Sequence, residues 1–456
     1  MAVSGRLALA AVVGALLVGL LVPSVAGVLG IVAALLVAVA IDLVRAGSPS
    51  ALRLERADEL VQVRLSEEVG STLVVVNPSR RRVVGVVRDA WPPSCAATPA
   101  SRPLDVPAGE RRRVTTTLRP TRRGEHAAAV VTVRAWGPLG LAARQRSRAV
   151  GGRVRVLPEF ASRRHLPARL ARLRELDGRR AVQVRGAGTE FDSLREYVRG
   201  DDVRSIDWRA SARSTDLVVR TWRPERDRHV LVVLDTGRTS AGLVGATPFS
   251  SPREGNPHDV GAGGSSPHGA GAVPRLDASL DAALLLAALA ARGGDRVDLL
   301  AVDRAVRASV VGARDPLPAM TAALSGVEPA LVETDMRLLA ATVLTRASRR
   351  SLVVLFTGLD DAAVAEGLEP VLGPLLHRHT LLVAGVADPA VASLAAGRGS
   401  GEAVYGAAAA TVAQEERRAV VGRLQRRGVE VVDAPPDELA PALADRYLAL
   451  KARGRL

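Results

Sequence analysis

The sequence predicts a mostly parallel, doubly wound α/β sheet, preceded by a β-sandwich-like domain and an N-terminal two-helix membrane hairpin. Three observations predict this architecture. After residue 230, apolar strand runs alternate with Ala- and Leu-rich helical segments. Residues 52–160 instead alternate apolar and polar side chains between Pro, Gly and Asn breakers. Residues 7–41 contain no charged side chain at all. The expected divisions are a hairpin at 1–46, a β-domain at 52–160, a linker helix and motif at 161–229, and the α/β domain at 230–450. A chain of 456 residues is long enough for cores in each folded part.

A single helix over residues 7–41 would be about 52 Å long, against a hydrocarbon core of about 30 Å. Two passes, 7–22 and 25–44, broken at Val22-Pro23-Ser24, fit better. The turn between them is uncharged, while Arg6 precedes the hairpin and Arg45, Arg53 and Arg56 follow it. The positive-inside rule then places both ends and the soluble domains on the cytoplasmic side of the inner (plasma) membrane. The competing reading is a signal peptide ending near VPSVAG, against which the second apolar run argues.

Aromatic residues make up 2% of the chain, so cores must be filled by Val, Leu and Ala. The net charge is +15, and Lys451 is the sole lysine among the basic residues. Acid and base interleave along most of the chain. That pattern suits a solvated surface drawn to an anionic membrane face, with no nucleic-acid partner. Cys95 stands alone, which excludes an internal disulfide and a multi-cysteine metal site.

In the β-domain, strands are expected at 59–65, 71–77, 81–89, 111–119 and 127–136, followed by a tight turn at WGPLGL (136–141). Residues 163–180 carry Leu166, Leu170, Leu173 and Leu176 at helical spacing, an amphipathic helix packed on a neighbour. The stretch 186–230 then gathers Phe191, Tyr197, Trp208 and Trp222 with a dense set of acids and arginines. EFDSLREYVRGDD (190–202) reads as one or two helical turns, VRSIDWRASAR as a short irregular or helical unit, and TDLVVRTW as a strand. Its charges suit either a partner-binding surface or an ion-pair network joining two domains. The candidate residues are Glu190, Arg195, Glu196, Tyr197, Asp201, Asp202, Arg204, Asp207, Trp208 and Arg213.

The α/β domain is read as strands at 229–235, 296–303, 305–311, 351–357, 380–386 and 429–434, with helices at 279–292, 317–325, 334–346, 362–376, 411–427 and 437–450. Ligands on such a sheet bind at the carboxyl ends of strands, where Asp235 and Thr357 would lie. Residues 245–274, rich in Gly, Ser and Pro, read as a disordered insertion that holds His258 and His268.

The run GAGTEFDSLREYVRGDDVRSIDWRASAR, followed by LVVRTWRPER and LVVLDTGRT, closely resembles the signature of the bacterial DUF58 family. WGPLGL and the two apolar passes fit that family's layout. The resemblance implies a β-domain joined to a von Willebrand factor type A-like domain, and a membrane-anchored, non-enzymatic adaptor or assembly role beside a MoxR-type AAA+ ATPase. A type A metal site would draw on Asp235, Thr239, Thr334 and Asp360, hard oxygen donors suited to Mg²⁺. Gly237 lacks the expected middle hydroxyl, Gly358 stands where an acid is expected, and Arg238 adds positive charge. A degenerate site with no cofactor is therefore expected, Mg²⁺ being the alternative. Two other functions compete: a metal-dependent hydrolase built on Asp201, Asp202 and Asp207, and a purely structural envelope component.

Overall fold

The computed structural model describes residues 2–21, 23–183, 190–198, 201–213, 216–223, 228–245 and 273–454. Side chains at 177–183, 190–193, 221–223 and 273 fall outside that description, as do residues 246–272 of the expected insertion, His258 and His268 among them. The chain divides into two compact units, Met1–Leu157 and Pro158–Leu456. The fold is mixed α/β with several sheets.

The first unit opens with two apolar helices, Gly5–Leu21 and Val25–Arg45. Pro23 lies at the break, and the Ser24 hydroxyl accepts the Gly27 amide to cap the second helix. Gly14 lets the helices approach, since a Cβ there would lie 2.6 Å from Ile31 Cγ2. Among the described residues, Val25–Ala51 is the one segment long and apolar enough to cross a membrane; Gly5–Leu21 is shorter.

Asp42, in the last turn of the second helix, is fully buried. A carboxylate is electrostatically misplaced at a helix C-terminus. It is held by two backbone amides of the WGPLGL turn, Leu139 at 2.7 Å and Leu141 at 2.7 Å, and by that of the next residue, Ala142, at 2.8 Å. Gly137 is required there, because a Cβ would come within 2.1 Å of Asp42 Oδ1. The turn predicted from sequence is thus a carboxylate cradle as well as a hairpin connection between Val131–Trp136 and Ala142–Arg148.

The β-part adds Arg53–Arg56, Arg102–Val106, Gly124–Ala127, Ala142–Arg148 and Arg153–Leu157 to the expected strands. One five-stranded sheet contains Val83–Asp89 and Val131–Trp136, and a three-stranded sheet contains Val69–Val76 and Arg111–Leu118. Leu73, Val75 and Val114 from the latter share a core with Val83, Val87 and Val133 from the former. Beside that core, Arg56 forms a two-pronged, buried ion pair with Asp89 at 2.9 Å on both arms. Cys95 is buried, and that burial pushes its thiol up to about 11 against a small opposing contact with Ser94.

The second unit is organised on a six-stranded sheet in the order Val306–Val310, Arg296–Val302, His229–Asp235, Leu352–Phe356, Thr380–Val386, Glu430–Ala434. All pairings are parallel except the antiparallel edge strand Val306–Val310. The four inner strands are buried on both faces, as continuous apolar runs such as HVLVVLD and LVVLF require. One face packs against Arg275–Arg292 and Pro436–Ala452, and the other against Met336–Arg346 and neighbouring helical turns. Leu166, Leu170, Leu173 and Leu176 of the linker helix Leu166–Gln183 pack onto the first of these cores.

Two helices differ from expectation. The 362–376 segment is broken into a π-turn at Ala363–Leu368, a 3₁₀ turn at Glu369–Val371 and a short helix Leu372–Arg378. Pro370 and Pro374 lack the amides that a continuous helix would use. The expected 411–427 helix starts earlier, at Gly401, where the Ser400 hydroxyl accepts the Ala403 amide.

At the amino ends of the strands, Asp298 accepts from His229 Nε2 at 2.9 Å, from Arg296 at 2.9 Å and from the Gly312 amide at 2.8 Å. Burial works to raise its pKa, but these donors outweigh burial and hold the carboxyl at about 2. The folded pKa lies below the unfolded one, so the stabilisation is complete above about pH 4 and fades as pH falls toward 2. We expect Asp298→Asn to cost about 2 kcal/mol at neutral pH, with the difference from wild type vanishing in denaturant unfolding near pH 2. A pH-independent difference would refute this assignment.

Candidate functional site

Residues 190–223 form a small module around an antiparallel hairpin, Glu190–Glu196 with Val218–Arg223. The helical turns expected for EFDSLRE are therefore a strand. Val218 to Trp222 supplies a β-branched, alternating partner, and ladder pairing overrides the weak local helical pattern. Between the strands lie a 3₁₀ turn, Val203–Ser205, and a single helical turn, Trp208–Ser211, in line with the short helical unit read from sequence.

Asp201, Asp202 and Asp207 are each committed locally. Asp201 takes both arms of Arg195, at 2.8 and 2.6 Å, and the Val198 amide at 2.9 Å. Those partners, Arg195 first, hold its carboxyl below the usual range. Asp202 caps the 3₁₀ turn through the Arg204 amide at 3.0 Å. Asp207 caps the helical turn through the Arg209 and Ala210 amides, both at 3.0 Å, and takes Arg220 Nε at 2.7 Å. The Ala210 amide and then Arg220 lower its pKa. Tyr197 joins the ladder through its amide to Leu217 O at 2.7 Å. Glu196 is exposed opposite Val218, and Glu190 faces Arg223 in the register, its side chain lying outside the described residues.

Around Asp201, Asp202 and Asp207 these bonds leave a set of exposed basic and apolar side chains. Trp208 is 66% exposed, with Val203 and Val198 exposed nearby in the chain. Arg204, Arg209 and Arg213 are exposed and make no ion pair among the described residues.

At the carboxyl ends of the large sheet, Asp235 is buried and organises a second cluster. Its Oδ1 accepts the Gly237 amide at 2.8 Å and the Thr334 hydroxyl; its Oδ2 accepts Thr239 at 2.8 Å and Thr357 at 2.6 Å. Ser240 closes the turn on Asp235 O at 2.5 Å. Asp235, Thr239 and Thr334 thus converge as the spacing suggested. Asp360 does not join them: it is half exposed and faces Arg275 at 3.6 Å. Arg238 is turned outward to Glu333 at 2.5 Å, so its charge is met outside the cluster. Thr357, expected with Asp235 at the ligand-binding ends of the strands, completes the set.

Gly237 has no room for a side chain, because a Cβ would lie 2.2 Å from Thr334 Oγ1 and 2.7 Å from Val332 O. Asp235 is saturated by four protein donors, and among the described residues no group of three His, Cys, Asp or Glu could hold a metal. In this arrangement both Asp235 oxygens are taken by protein donors, whereas Mg²⁺ would need the hydroxyl lone pairs and carboxylate oxygens turned toward one point. Its chemistry is that of a hydrogen-bond knot fastening three loops. Asp303, which the sequence reading passed over, is buried beside it. It accepts Arg307 Nε at 2.6 Å and the Ala305 amide at 3.0 Å.

Among solved structures, the chain is similar to WR4, a C. elegans MSP family member, at 10% identity over 23% of this chain and 97% of that one, with a TM-score of 0.17. It is also similar to a β-glucosidase from Listeria innocua, at 17% identity over 22% of this chain and 16% of that one, with a TM-score of 0.15. Likenesses at these scores carry no argument about fold or function. No curated protein matches the chain. The family described as "Protein of unknown function DUF58" matches residues 193–246 and 260–420, a span that takes in the module from Ser193, the Asp235 cluster and most of the large sheet. That match supports placing the chain in the DUF58 family.

Proposed function

We propose that the chain is a membrane-anchored, non-enzymatic adaptor that binds a protein partner through the 190–223 module. One observation carries this reading: the module spends Asp201, Asp202 and Asp207 on its own caps and ion pairs, and leaves Trp208 with Arg204, Arg209 and Arg213 exposed. Tryptophan and arginine are the side chains that dominate protein-binding hot spots. The alternative of a hydrolase based on Asp201, Asp202 and Asp207 finds less support. Two of the three have lowered pKa values, and all three already serve as acceptors.

The parallel sheet with one antiparallel edge, and the Asp235, Thr239 and Thr334 cluster at its carboxyl end, support reading the second unit as von Willebrand factor type A-like. In that reading the Asp235 cluster is a degenerate metal site kept for its hydrogen bonds. The apolar helices support anchoring in a membrane, the flanking Arg6, Arg45, Arg53 and Arg56 favour the plasma membrane with both units in the cytoplasm, and the family resemblance points to a MoxR-type AAA+ ATPase as partner. Capture of that ATPase by detergent-solubilised full-length protein is the test. Trp208→Ala is expected to weaken capture about 30-fold, the equivalent of about 2 kcal/mol. Undiminished capture by Trp208→Ala would remove the module from the interface, and Mg²⁺-dependent hydrolysis lost in Asp201→Asn would favour the enzyme reading instead.

A further inference from the structure

A second basic cluster lies in the first unit, at the foot of the apolar helices. Arg6 is in the first turn of Gly5–Leu21 and Arg45 is the last residue of Val25–Arg45. Both helix ends meet the WGPLGL turn: Arg6 Nη1 lies 2.8 Å from where a Gly140 Cβ would be, and Asp42 is bonded within the turn. Two hollows, of about 360 and 550 Å³, share Trp136, Gly137 and Pro138 as a common wall. Arg6 lines the first; Arg45, Arg81 and Arg82 line the second. Arg81 is fixed there by donating to Val44 O at 2.9 Å. Arg82 is engaged by Asp105, whereas Arg6, Arg45 and Arg81 make no ion pair among the described residues. Asp42, the other acid at this level, is buried and satisfied by three amides.

We propose that Arg6, Arg45 and Arg81, arranged around Trp136, bind the phosphate of an anionic phospholipid headgroup; this rests on the membrane-anchored reading above. The apolar faces of both helices run down to this level, with Ile41 and Val44 exposed. In a bilayer, the arginines at the helix ends would therefore meet the phosphate layer. Guanidinium groups suit phosphate oxygens through charge-assisted, two-pronged bonds. Trp136 supplies the amphipathic ring that favours the membrane–water boundary. Basic pockets beside membrane helices are the usual headgroup sites.

The test uses the full chain reconstituted in phosphatidylcholine nanodiscs, with or without a minor fraction of phosphatidylglycerol, then re-extracted and weighed with its retained lipids. Wild type and the control Arg111→Gln/Arg113→Gln should retain phosphatidylglycerol preferentially, and Arg6→Gln/Arg45→Gln should lose about ten-fold of that preference. Entry of Arg6→Gln/Arg45→Gln into phosphatidylcholine discs at the wild-type level shows that it folds; if it does not enter, Arg81→Gln takes its place. Equal retention by all proteins would overturn the headgroup site while leaving the anchor intact. Loss of retained phosphatidylglycerol to millimolar inorganic phosphate would overturn it too, marking a small-anion site. Failure of wild type to enter either disc would instead sink the anchored reading and the headgroup site with it.

Discussion

Lys451→Met is expected to destabilise the second unit by about 3–5 kcal/mol, lowering its melting temperature by roughly 10 °C. Lys451 is 2% exposed and its Nζ lies 2.8 Å from Asp295 Oδ1, 3.1 Å from Tyr447 Oη and 3.2 Å from Gly293 O. Tyr447 donates its hydroxyl to the other oxygen of Asp295. These groups tie the C-terminal helix Pro436–Ala452 to the turn between Arg275–Arg292 and Arg296–Val302. Removing the ammonium alone strands a buried carboxylate. Replacing all three polar groups, in Lys451→Met/Asp295→Leu/Tyr447→Phe, should recover most of the loss, since an apolar set avoids the desolvation cost. Thermal unfolding of the two variants in the same detergent separates these outcomes. Equal melting temperatures for wild type and Lys451→Met would show that the ion pair contributes nothing.

Asp42→Ala is expected to open the WGPLGL turn. The substitution leaves the Leu139, Leu141 and Ala142 amides without their acceptor, a local cost of about 3 kcal/mol. Hydrogen exchange at those three amides should accelerate about 100-fold. Exchange in the distant strand Arg111–Leu118 should not change. Asp42→Asn keeps one acceptor oxygen and should fall between the two. If the three amides exchange as in wild type, Asp42 does not hold the turn.

Much of the fold was legible because its signals are local. The apolar runs, the breaks at Pro23 and Pro92-Pro93, and the alternation of strands with Ala-rich helices all lie within short windows. The leucine stripe of the linker helix was readable for the same reason. The Asp235 cluster was partly legible, since Thr239 follows at a fixed spacing and Thr334 precedes a helix. Its third hydroxyl, Thr357, and the diversion of Asp360 to Arg275 depend on how distant loops approach each other. The hairpin at Glu190–Glu196 was misread because its seven residues are ambiguous without the partner strand. Asp42 was hidden most completely. In sequence it is only the first charge after an apolar run, and its three donors lie about 100 residues away.

Each unit carries one uniquely reactive side chain, shut away inside it: the sole cysteine, Cys95, in the first, and the sole lysine, Lys451, in the second. Modification of the Cys95 thiol and of the Lys451 amine therefore reads different parts of the same molecule. A maleimide pulse marks opening of the first unit, and acylation read at Lys451 itself marks opening of the second, with no engineered label needed. The same scarcity means that lysine-directed cross-linkers find no exposed side-chain amine in the described residues of the folded protein. Partner mapping on this chain calls for carboxylate- or arginine-directed chemistry.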